Sequence, residues 1–251
     1  MSMSISEMFG PVIQGEGYSA GVPAFFLRMS QCSLACGLGG LFESGKASWF
    51  CDSATIWKKG EDKTPQEILD FMEARGELQR ILAGRTHVIL TGGEPALPQN
   101  LKAIAELIDY INEVYPDNEA FYELETSGTR YAVDPEFFNK YIDQINCSAK
   151  IANSGMPKAM RVIPRAIEQL TSHSNFWWKI VVSKPEDWDE FMADYGQWVA
   201  QDFPNVIVMP AGGSKEELLV TNKIAWDMAT KYNVRLSLRA QVETWNQVTG
   251  V

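Results

Sequence analysis

The chain has 251 residues, 45% of them hydrophobic and 22% charged, which is ordinary for a globular enzyme with a full core. Its net charge of −10 argues against a nucleic-acid-binding surface, because contacts to phosphates need clustered Lys and Arg. Met1–Gly10 lacks the basic start and apolar run of a secretion signal, and no window reaches transmembrane length. We therefore expect a cytoplasmic protein.

Short apolar runs between turn signals predict strands along most of the chain. Several are rich in β-branched or aromatic residues, as strands buried on both faces are. The predicted strands are Ala24–Met29, His87–Leu90, Phe121–Glu125, Gln144–Cys147, Phe176–Val182, Val206–Met209 and a weaker one at Val234–Leu238.

Helical patterns separate these strands, and Thr64 followed by Pro65 suits the cap and first turn of one of them. The predicted helices are Pro65–Leu82, Leu101–Tyr115, Pro185–Ala200 and Lys215–Lys231. Alternation of strands and helices predicts parallel strands joined by right-handed crossovers. We expect one α/β domain over residues 1–251, a partial (β/α) TIM-like barrel of about six parallel strands. A doubly wound sheet is the alternative, and either fold places the site at the carboxyl ends of the strands.

Three of the four cysteines, Cys32, Cys36 and Cys51, form C-x3-C-x14-C directly after the first of these strands. Thiolates are the usual ligands of iron–sulfur clusters, and three ligands on a four-iron cluster leave one iron open. The alternatives are small buried side chains, or a zinc site that would need a fourth ligand. Neither histidine lies at zinc-finger spacing, and Cys147 lies in an apolar strand pattern typical of the core.

Polar segments follow the strands that come after the cysteines. In Thr91–Pro95, two glycines allow close backbone approach, and exposed carbonyls with Glu94 suit an ammonium group, although a tight βα turn is the alternative. Glu125–Gly128 and Ser148–Lys150 end the next two strands, where polar residues often cap helices. Arg28 ends an apolar strand, so its charge must find an anion: a substrate carboxylate or an internal acidic side chain.

Taken in order, these segments resemble the radical S-adenosylmethionine superfamily and, more narrowly, the 7-carboxy-7-deazaguanine synthase family. The resemblance covers about Phe9 to Pro210. The segments that carry it are Phe9, Gln14–Gly17, Phe26–Arg28, the three cysteines with Cys51–Ser53, Thr91–Pro95, Glu125–Gly128 and Ser148–Lys150.

The resemblance implies roles for particular residues, none of them catalytic in itself. It implies a [4Fe–4S] cluster on Cys32, Cys36 and Cys51, and Mg²⁺ on Ser53, where the family has threonine. It implies S-adenosylmethionine against Gly92, Gly93, Glu94, Glu125, Thr126, Ser127, Ser148 and Lys150. The substrate would contact Gln14, Glu16 and Arg28.

The implied reaction begins with cleavage of S-adenosylmethionine to a 5′-deoxyadenosyl radical. Ring contraction of 6-carboxy-5,6,7,8-tetrahydropterin with loss of ammonia then gives 7-carboxy-7-deazaguanine, a precursor of queuosine and related deazapurines. A reductant such as flavodoxin and a homodimer are further expectations, with Trp177 and Trp178 either at its interface or in the core. The alternatives are another radical enzyme, such as an activase of a glycyl-radical partner, and a non-catalytic iron–sulfur or zinc protein. Gln14–Gly17 together with Arg28 favours the deazapurine branch.

The chain departs from the family pattern in two places. Residues 37–50 read as a glycine-containing loop insertion that moves the third cysteine away from its usual C-x2-C position. Near the C-terminus, Gln241-Val242-Glu243 stands where the family often has Gln-x-His, whose histidine touches substrate. Glu243 replaces that histidine, or the alignment is shifted, or the substrate differs.

Overall fold

The computed structural model describes residues 2–201, 205–248 and 250, and a nine-stranded sheet forms its centre. The strands are β1 (Met3–Ile13), β2 (Pro23–Met29), β3 (Glu61–Lys63), β4 (His87–Gly92), β5 (Tyr122–Thr126), β6 (Gln144–Cys147), β7 (Phe176–Val182), β8 (Val206–Pro210) and β9 (Arg235–Leu236). They are ordered β3-β1-β2-β4-β5-β6-β7-β8-β9. From β2 to β9 all neighbouring strands are parallel, whereas β1 pairs antiparallel with β2 and β3.

Helices lie between successive parallel strands, and one more follows the last strand. They are α1 (Pro65–Ala74), α2 (Leu78–Leu82), α3 (Pro98–Val114), α4 (Phe137–Tyr141), α5 (Lys158–Arg161), α6 (Pro164–Thr171), α7 (Asp187–Tyr195), α8 (Lys215–Tyr232) and α9 (Ala240–Trp245). Thr64 caps α1 as predicted. Its hydroxyl accepts a hydrogen bond from the backbone N–H of Glu67, and the Glu67 carboxylate accepts one from the backbone N–H of Thr64.

The prediction of an α/β fold with a mostly parallel sheet is confirmed, and all seven predicted strands are present. The central strands are buried on both faces: Val88, Ile89 and Leu90 of β4 and Leu124 of β5 are 0% exposed. The sheet is open, with β3 and β9 at its edges. Because the parallel strands share one direction, their carboxyl ends form a single rim on which loops from distant parts of the chain meet.

The structure also contains elements that the sequence pattern did not predict. The apolar alternation of β1 is broken between Phe9 and Val12, where its register with β2 shifts, and β3 contains only charged residues. The predicted helix Pro65–Leu82 is divided after Ala74, because Gly76 adopts a φ of +72°, a left-handed conformation that ends a helix.

Two adjacent tryptophans of β7 have different surroundings. Trp178 is 2% exposed and lies in the main core against Phe176 and Tyr195. Trp177 stacks on Tyr18 at 4.2 Å between ring centroids. Core packing therefore accounts for Trp178. None of the described helices is both long enough and apolar enough to cross a membrane.

Candidate active site

A cavity of about 490 Å³ opens at the carboxyl ends of the parallel strands. Fourteen of the fifteen residues that the resemblance singled out line it. They are Gln14, Glu16, Arg28, Cys32, Cys36, Cys51, Ser53, Gly92, Gly93, Glu125, Thr126, Ser127, Ser148 and Lys150. Side chains separated by more than a hundred positions therefore face one space.

The three predicted cluster ligands lie together at one wall of this cavity. The backbone N–H of Cys51 donates to the carbonyl of Cys36 at 3.1 Å, and the Cys32 thiol donates to the carbonyl of Gly93 at 3.2 Å. Burial raises the pKa of Cys32 to about 12, with smaller contributions from the charges of Glu94 and the other two thiols and a partial offset from a backbone hydrogen bond at Leu34. Burial likewise raises the pKa of Cys36, which the charge of Lys150 only partly offsets. Thiolates here therefore require a cation such as iron.

The three thiols supply the cysteine ligands that a four-iron cluster with one open iron uses. Within the described residues, no group of three or more His, Cys, Asp or Glu side chains is arranged to hold one ion. A four-iron cluster presents its iron atoms at separate corners, so its cysteines need not converge on a point. The three thiols line one cavity, and the charges of Cys36 and Cys51 act on Cys32, so the three lie near one another.

The Gly92–Gly93 turn brings the cysteine loop against the end of β4. A Cβ on Gly92 would lie 2.2 Å from the carbonyl oxygen of Met29, and one on Gly93 would lie 1.8 Å from that of Gln31. Both distances are far below van der Waals contact, so only glycine fits at either position. These glycines thus allow the chain's own backbone to pack closely, and their edges still line the cavity.

Glu94, the fifteenth residue, lies behind the cavity wall and is 0% exposed. Its Oε1 accepts hydrogen bonds from the backbone N–H of Ala96 at 2.9 Å and from Thr126 Oγ1 at 2.6 Å. Its Oε2 accepts from the backbone N–H of Ser127 at 2.9 Å and from the Ser127 hydroxyl. Glu94 therefore joins the turn after β4 to the end of β5, and its contact with a cosubstrate ammonium group stays a prediction.

We expect Glu94→Gln to lower the free energy of unfolding by about 1–3 kcal/mol, because an amide NH₂ would face buried donors that need an acceptor. Denaturant unfolding followed by circular dichroism measures the difference. Glu113→Gln, at an exposed position of α3, is the matched control and should unfold like the wild type. Equal stability of the two variants would show that the carboxylate bonds of Glu94 are dispensable.

Residues 37–50, predicted to be an insertion, are anchored on the segment that follows β6. The backbone N–H of Gly37 donates to the carbonyl of Ser154 at 3.0 Å. At the other end, Trp49 Nε1 donates to Asn153 Oδ1 at 2.9 Å. Both ends of this connection between the second and third cysteines are thus held, and Cys51 lines the cavity.

The Glu16 carboxylate is bound by three side chains, two of which the sequence analysis did not identify. Its Oε1 accepts from Lys179 Nζ at 2.5 Å, and its Oε2 accepts from Gln241 Nε2 at 2.9 Å and from Arg239 Nε at 3.3 Å. Burial would raise the pKa of Glu16, but the charges of Lys179 and Arg239 outweigh it and hold this pKa well below its usual value. Glu16 is therefore ionised at neutral pH.

A second carboxylate, Glu125, lies next to this pair. Its Oε1 is 3.6 Å from Lys179 Nζ and accepts from Gln14 Nε2 at 3.3 Å, while its Oε2 accepts from Thr91 Oγ1 at 2.8 Å. Lys179 is only 3% exposed, yet Glu125 and Glu16 together raise its pKa above the usual value despite burial, which by itself would lower it. A buried cation between two carboxylates thus lines part of the cavity, and we call Lys179, Glu16 and Glu125 together the cavity floor.

Arg28 forms an ion pair with an acidic side chain of the protein itself. Its Nε donates to Glu7 Oε2 at 3.1 Å, and its guanidinium lies 6.0 Å from the centroid of the Phe9 ring, which stacks on Phe26. In the part of the chain that the structure describes, Nε is the only Arg28 nitrogen with a side-chain partner. The terminal nitrogens remain suited to a bidentate anion, so the substrate carboxylate contact stays a prediction.

The predicted metal and ribose-side residues also face the cavity. Ser53 Oγ lies 3.5 Å from Cys51 Sγ, so a hydroxyl oxygen adjoins the cysteine wall. Lys150 Nζ donates to Ser148 Oγ at 2.6 Å and lies 5.5 Å from the Trp49 ring centroid. These contacts place an oxygen donor and a cation beside the thiols.

Near the C-terminus, the structure separates Gln241 from Glu243. Gln241 and Arg239 line the cavity and bind Glu16, whereas Glu243 is exposed and accepts from Asn222 Nδ2 at 2.6 Å. Glu243 is therefore not among the residues that line the cavity. The residues of this segment that bind Glu16 are Arg239, two positions before the matched stretch, and Gln241, its first residue.

Known proteins similar to this chain match it over most of its length. A 7-carboxy-7-deazaguanine synthase from Pyrobaculum aerophilum is 28% identical over 247 residues, which cover 95% of this chain and 93% of the relative. One from Leptospira interrogans is 24% identical over 241 residues, covering 95% and 94%. The chain resembles the 7-carboxy-7-deazaguanine synthases over nearly its whole length. The resemblance inferred from the sequence motifs is confirmed.

Solved structures extend the likeness to the fold. The crystal structure of QueE from Escherichia coli has a TM-score of 0.64 at 21% identity and covers 96% of this chain and 95% of its own. The structure of anSMEcpe with bound AdoMet has a TM-score of 0.51 at 16% identity and covers 84% of this chain and 59% of its own. No family model matches the chain. The shared architecture supports the partial-barrel interpretation.

Proposed function

We propose that the chain is a 7-carboxy-7-deazaguanine synthase that converts 6-carboxy-5,6,7,8-tetrahydropterin into 7-carboxy-7-deazaguanine and ammonia. The observation that carries the proposal is that the three thiols, the Gly92–Gly93 turn and the substrate-side residues line one cavity. The two products together contain all the atoms of the pterin, so the overall reaction is redox-neutral. A hydrogen atom taken from the substrate must therefore be returned before release.

The thiols of Cys32, Cys36 and Cys51 would hold a [4Fe–4S] cluster, whose open iron would bind S-adenosylmethionine. When bound, the cluster supplies the electron that cleaves this cosubstrate. The carbonyls of the Gly92–Gly93 turn are suited to accept hydrogen bonds from its amino group, and Ser148 and Lys150 are suited to its ribose side. The chain's own task is to orient the two small molecules and to exclude water.

Charge arrangement favours a small molecule with one carboxylate and several N–H donors. The terminal nitrogens of Arg28 suit the carboxylate of the pterin. Gln14 and ionised Glu16 offer acceptors for amino and ring N–H groups. Because Glu16 is already bound by Lys179 and Gln241, a substrate donor would share its oxygens with these residues.

Mg²⁺ would bind next to the cysteines through Ser53. Magnesium prefers oxygen ligands, retains several waters and often bridges to an anionic group of the substrate. The Ser53 hydroxyl lines the cavity, so it can share the ion with the substrate carboxylate. Loss of turnover on chelation, restored by Mg²⁺, would support this role.

The remaining expectations belong to the same proposal. We place the enzyme in the cytoplasm as a single domain over residues 1–251. A small reductant such as flavodoxin would supply the electron, and a homodimer is the assembly that we propose.

The proposed function is tested by incubating the reconstituted, reduced protein with S-adenosylmethionine, Mg²⁺ and the carboxypterin. We expect consumption of the pterin and formation of 7-carboxy-7-deazaguanine, identified by chromatography and mass spectrometry. Cleavage of S-adenosylmethionine with an unchanged pterin would point to a different substrate.

We expect Arg28→Ala to raise the KM for the carboxypterin by about 10- to 100-fold, because a charge-assisted bidentate contact contributes about 1.5–3 kcal/mol. Steady-state assays measure the change. Arg165→Ala is the control, because Arg165 is exposed and lies 4.2 Å from the Tyr131 ring centroid, outside the cavity. An unchanged KM in Arg28→Ala would remove Arg28 from the substrate contacts.

A further inference from the structure

Arg239 connects three segments of the cavity wall. Its Nε donates to Glu16 Oε2 at 3.3 Å, its Nη2 donates to Asp52 Oδ2 at 2.5 Å, and its Nη1 donates to the carbonyl of Gly212. The Arg239 side chain is 13% exposed; its bonds to Glu16 and Gly212 are partly buried, whereas its bond to Asp52 is exposed. A planar guanidinium with separate donors can serve three acceptors at once, which an ammonium group does poorly.

The segments that Arg239 joins have different tasks in the proposed reaction. Glu16 lies on the substrate side, between β1 and β2. Asp52 lies between Cys51, a proposed cluster ligand, and Ser53, the proposed magnesium ligand. Gly212 follows β8 and also lines the cavity. The Arg239 side chain thus connects Glu16, a proposed substrate contact, to the turn that carries the proposed cluster and magnesium ligands.

Charge neutralisation does not account for this placement. Glu16 already has Lys179 at 2.5 Å, with a further amide donor from Gln241. Asp52 is 49% exposed, so water can solvate its charge. What Arg239 adds is a directional connection between two carboxylates that lie on segments far apart in sequence.

We propose that Arg239 is a positioning residue that fixes the Cys51–Ser53 turn relative to Glu16, so that the cosubstrate and the pterin are held at reacting distance. This role rests on the proposed function. A loosened turn would still carry the cluster, because the three thiols are untouched. S-adenosylmethionine would then be cleaved more often than product is formed, so 5′-deoxyadenosine would accumulate relative to 7-carboxy-7-deazaguanine.

The experiment compares reconstituted wild type, Arg239→Gln, Arg239→Lys and the control Arg165→Gln. Iron per chain is measured first, followed by the Kd of the carboxypterin by calorimetry without reductant. The ratio of 5′-deoxyadenosine to 7-carboxy-7-deazaguanine is then measured during turnover. The calorimetric result does not depend on turnover, so binding and coupling are separated.

We expect Arg239→Gln to keep its iron, to weaken pterin binding about tenfold and to raise the deoxyadenosine-to-product ratio severalfold. Arg239→Lys should give values of both quantities between those of Arg239→Gln and the wild type, because lysine keeps the positive charge but lacks the several directed N–H donors of the guanidinium. Arg165→Gln should match the wild type. If Arg239→Gln does not fold, Asp52→Asn decides, because its half-exposed side chain can be changed with little risk to the fold and should raise the same ratio.

The outcomes separate this role from the function on which it rests. A wild type that binds S-adenosylmethionine but not the carboxypterin would overturn the proposed function and, with it, the role of Arg239. A wild type that binds both, with Arg239→Gln or Asp52→Asn indistinguishable from it, would overturn the positioning role alone.

Discussion

Replacing Cys32, Cys36 or Cys51 with alanine is expected to abolish turnover and to remove most of the iron retained after reconstitution. Each thiol faces the cavity wall where the cluster would bind, and a three-cysteine site has no spare ligand. Iron and sulfide content, with the absorbance of the reconstituted protein, measure the loss for each variant.

Cys147→Ala is the matched control for this series. Cys147 is 1% exposed, belongs to the main core and does not line the cavity. We expect it to lose on the order of 1 kcal/mol of stability and to keep its iron and activity. Full iron content in any one of the other three variants would remove that residue from the ligand set.

Lys179→Met is expected to cost about 3–5 kcal/mol of unfolding free energy, because it removes the cation that lies between two largely buried carboxylates. Glu16 and Glu125 would then lie close together, with only Arg239 retained as a full charge partner of Glu16. Chemical denaturation measures the loss, and we expect substrate binding to weaken with it.

Two further variants show whether the buried position of Lys179 causes that loss. Adding Glu125→Gln to Lys179→Met should recover part of the stability, because one unpaired carboxylate is removed. Lys223→Met removes a lysine that is 77% exposed and pairs with Asp227 along α8, and it should change stability little. A Lys179→Met protein as stable as Lys223→Met would contradict the account of the cavity floor.

Much of the fold was readable from the sequence because buried parallel strands are short continuous apolar runs. β6 and β7 have the predicted bounds, and the other predicted strands differ by a few residues at their ends. β1 escaped prediction because its pattern is interrupted where the register shifts near Val12. β3, which is made only of charged residues, follows no apolar period and exists because β1 offers it an edge.

The site was predictable where its residues follow strands and less so where partners come from afar. Lys179 gave a local signal, as the single charge in an otherwise apolar strand. Arg239 gave none, because its importance comes from Asp52 and Glu16, which lie 187 and 223 positions away. Glu94 illustrates a third case: its motif was recognised, but its four hydrogen bonds to neighbouring loops appear only in the folded chain.

Electron paramagnetic resonance of the anaerobically reconstituted, reduced protein, with and without S-adenosylmethionine, tests the central claim most directly. We predict a [4Fe–4S]⁺ signal that changes when S-adenosylmethionine is added, because three cysteines leave one iron open to the cosubstrate. A protein that forms no cluster, or whose signal is indifferent to S-adenosylmethionine, would contradict the assignment of Cys32, Cys36 and Cys51 and the radical mechanism built on it.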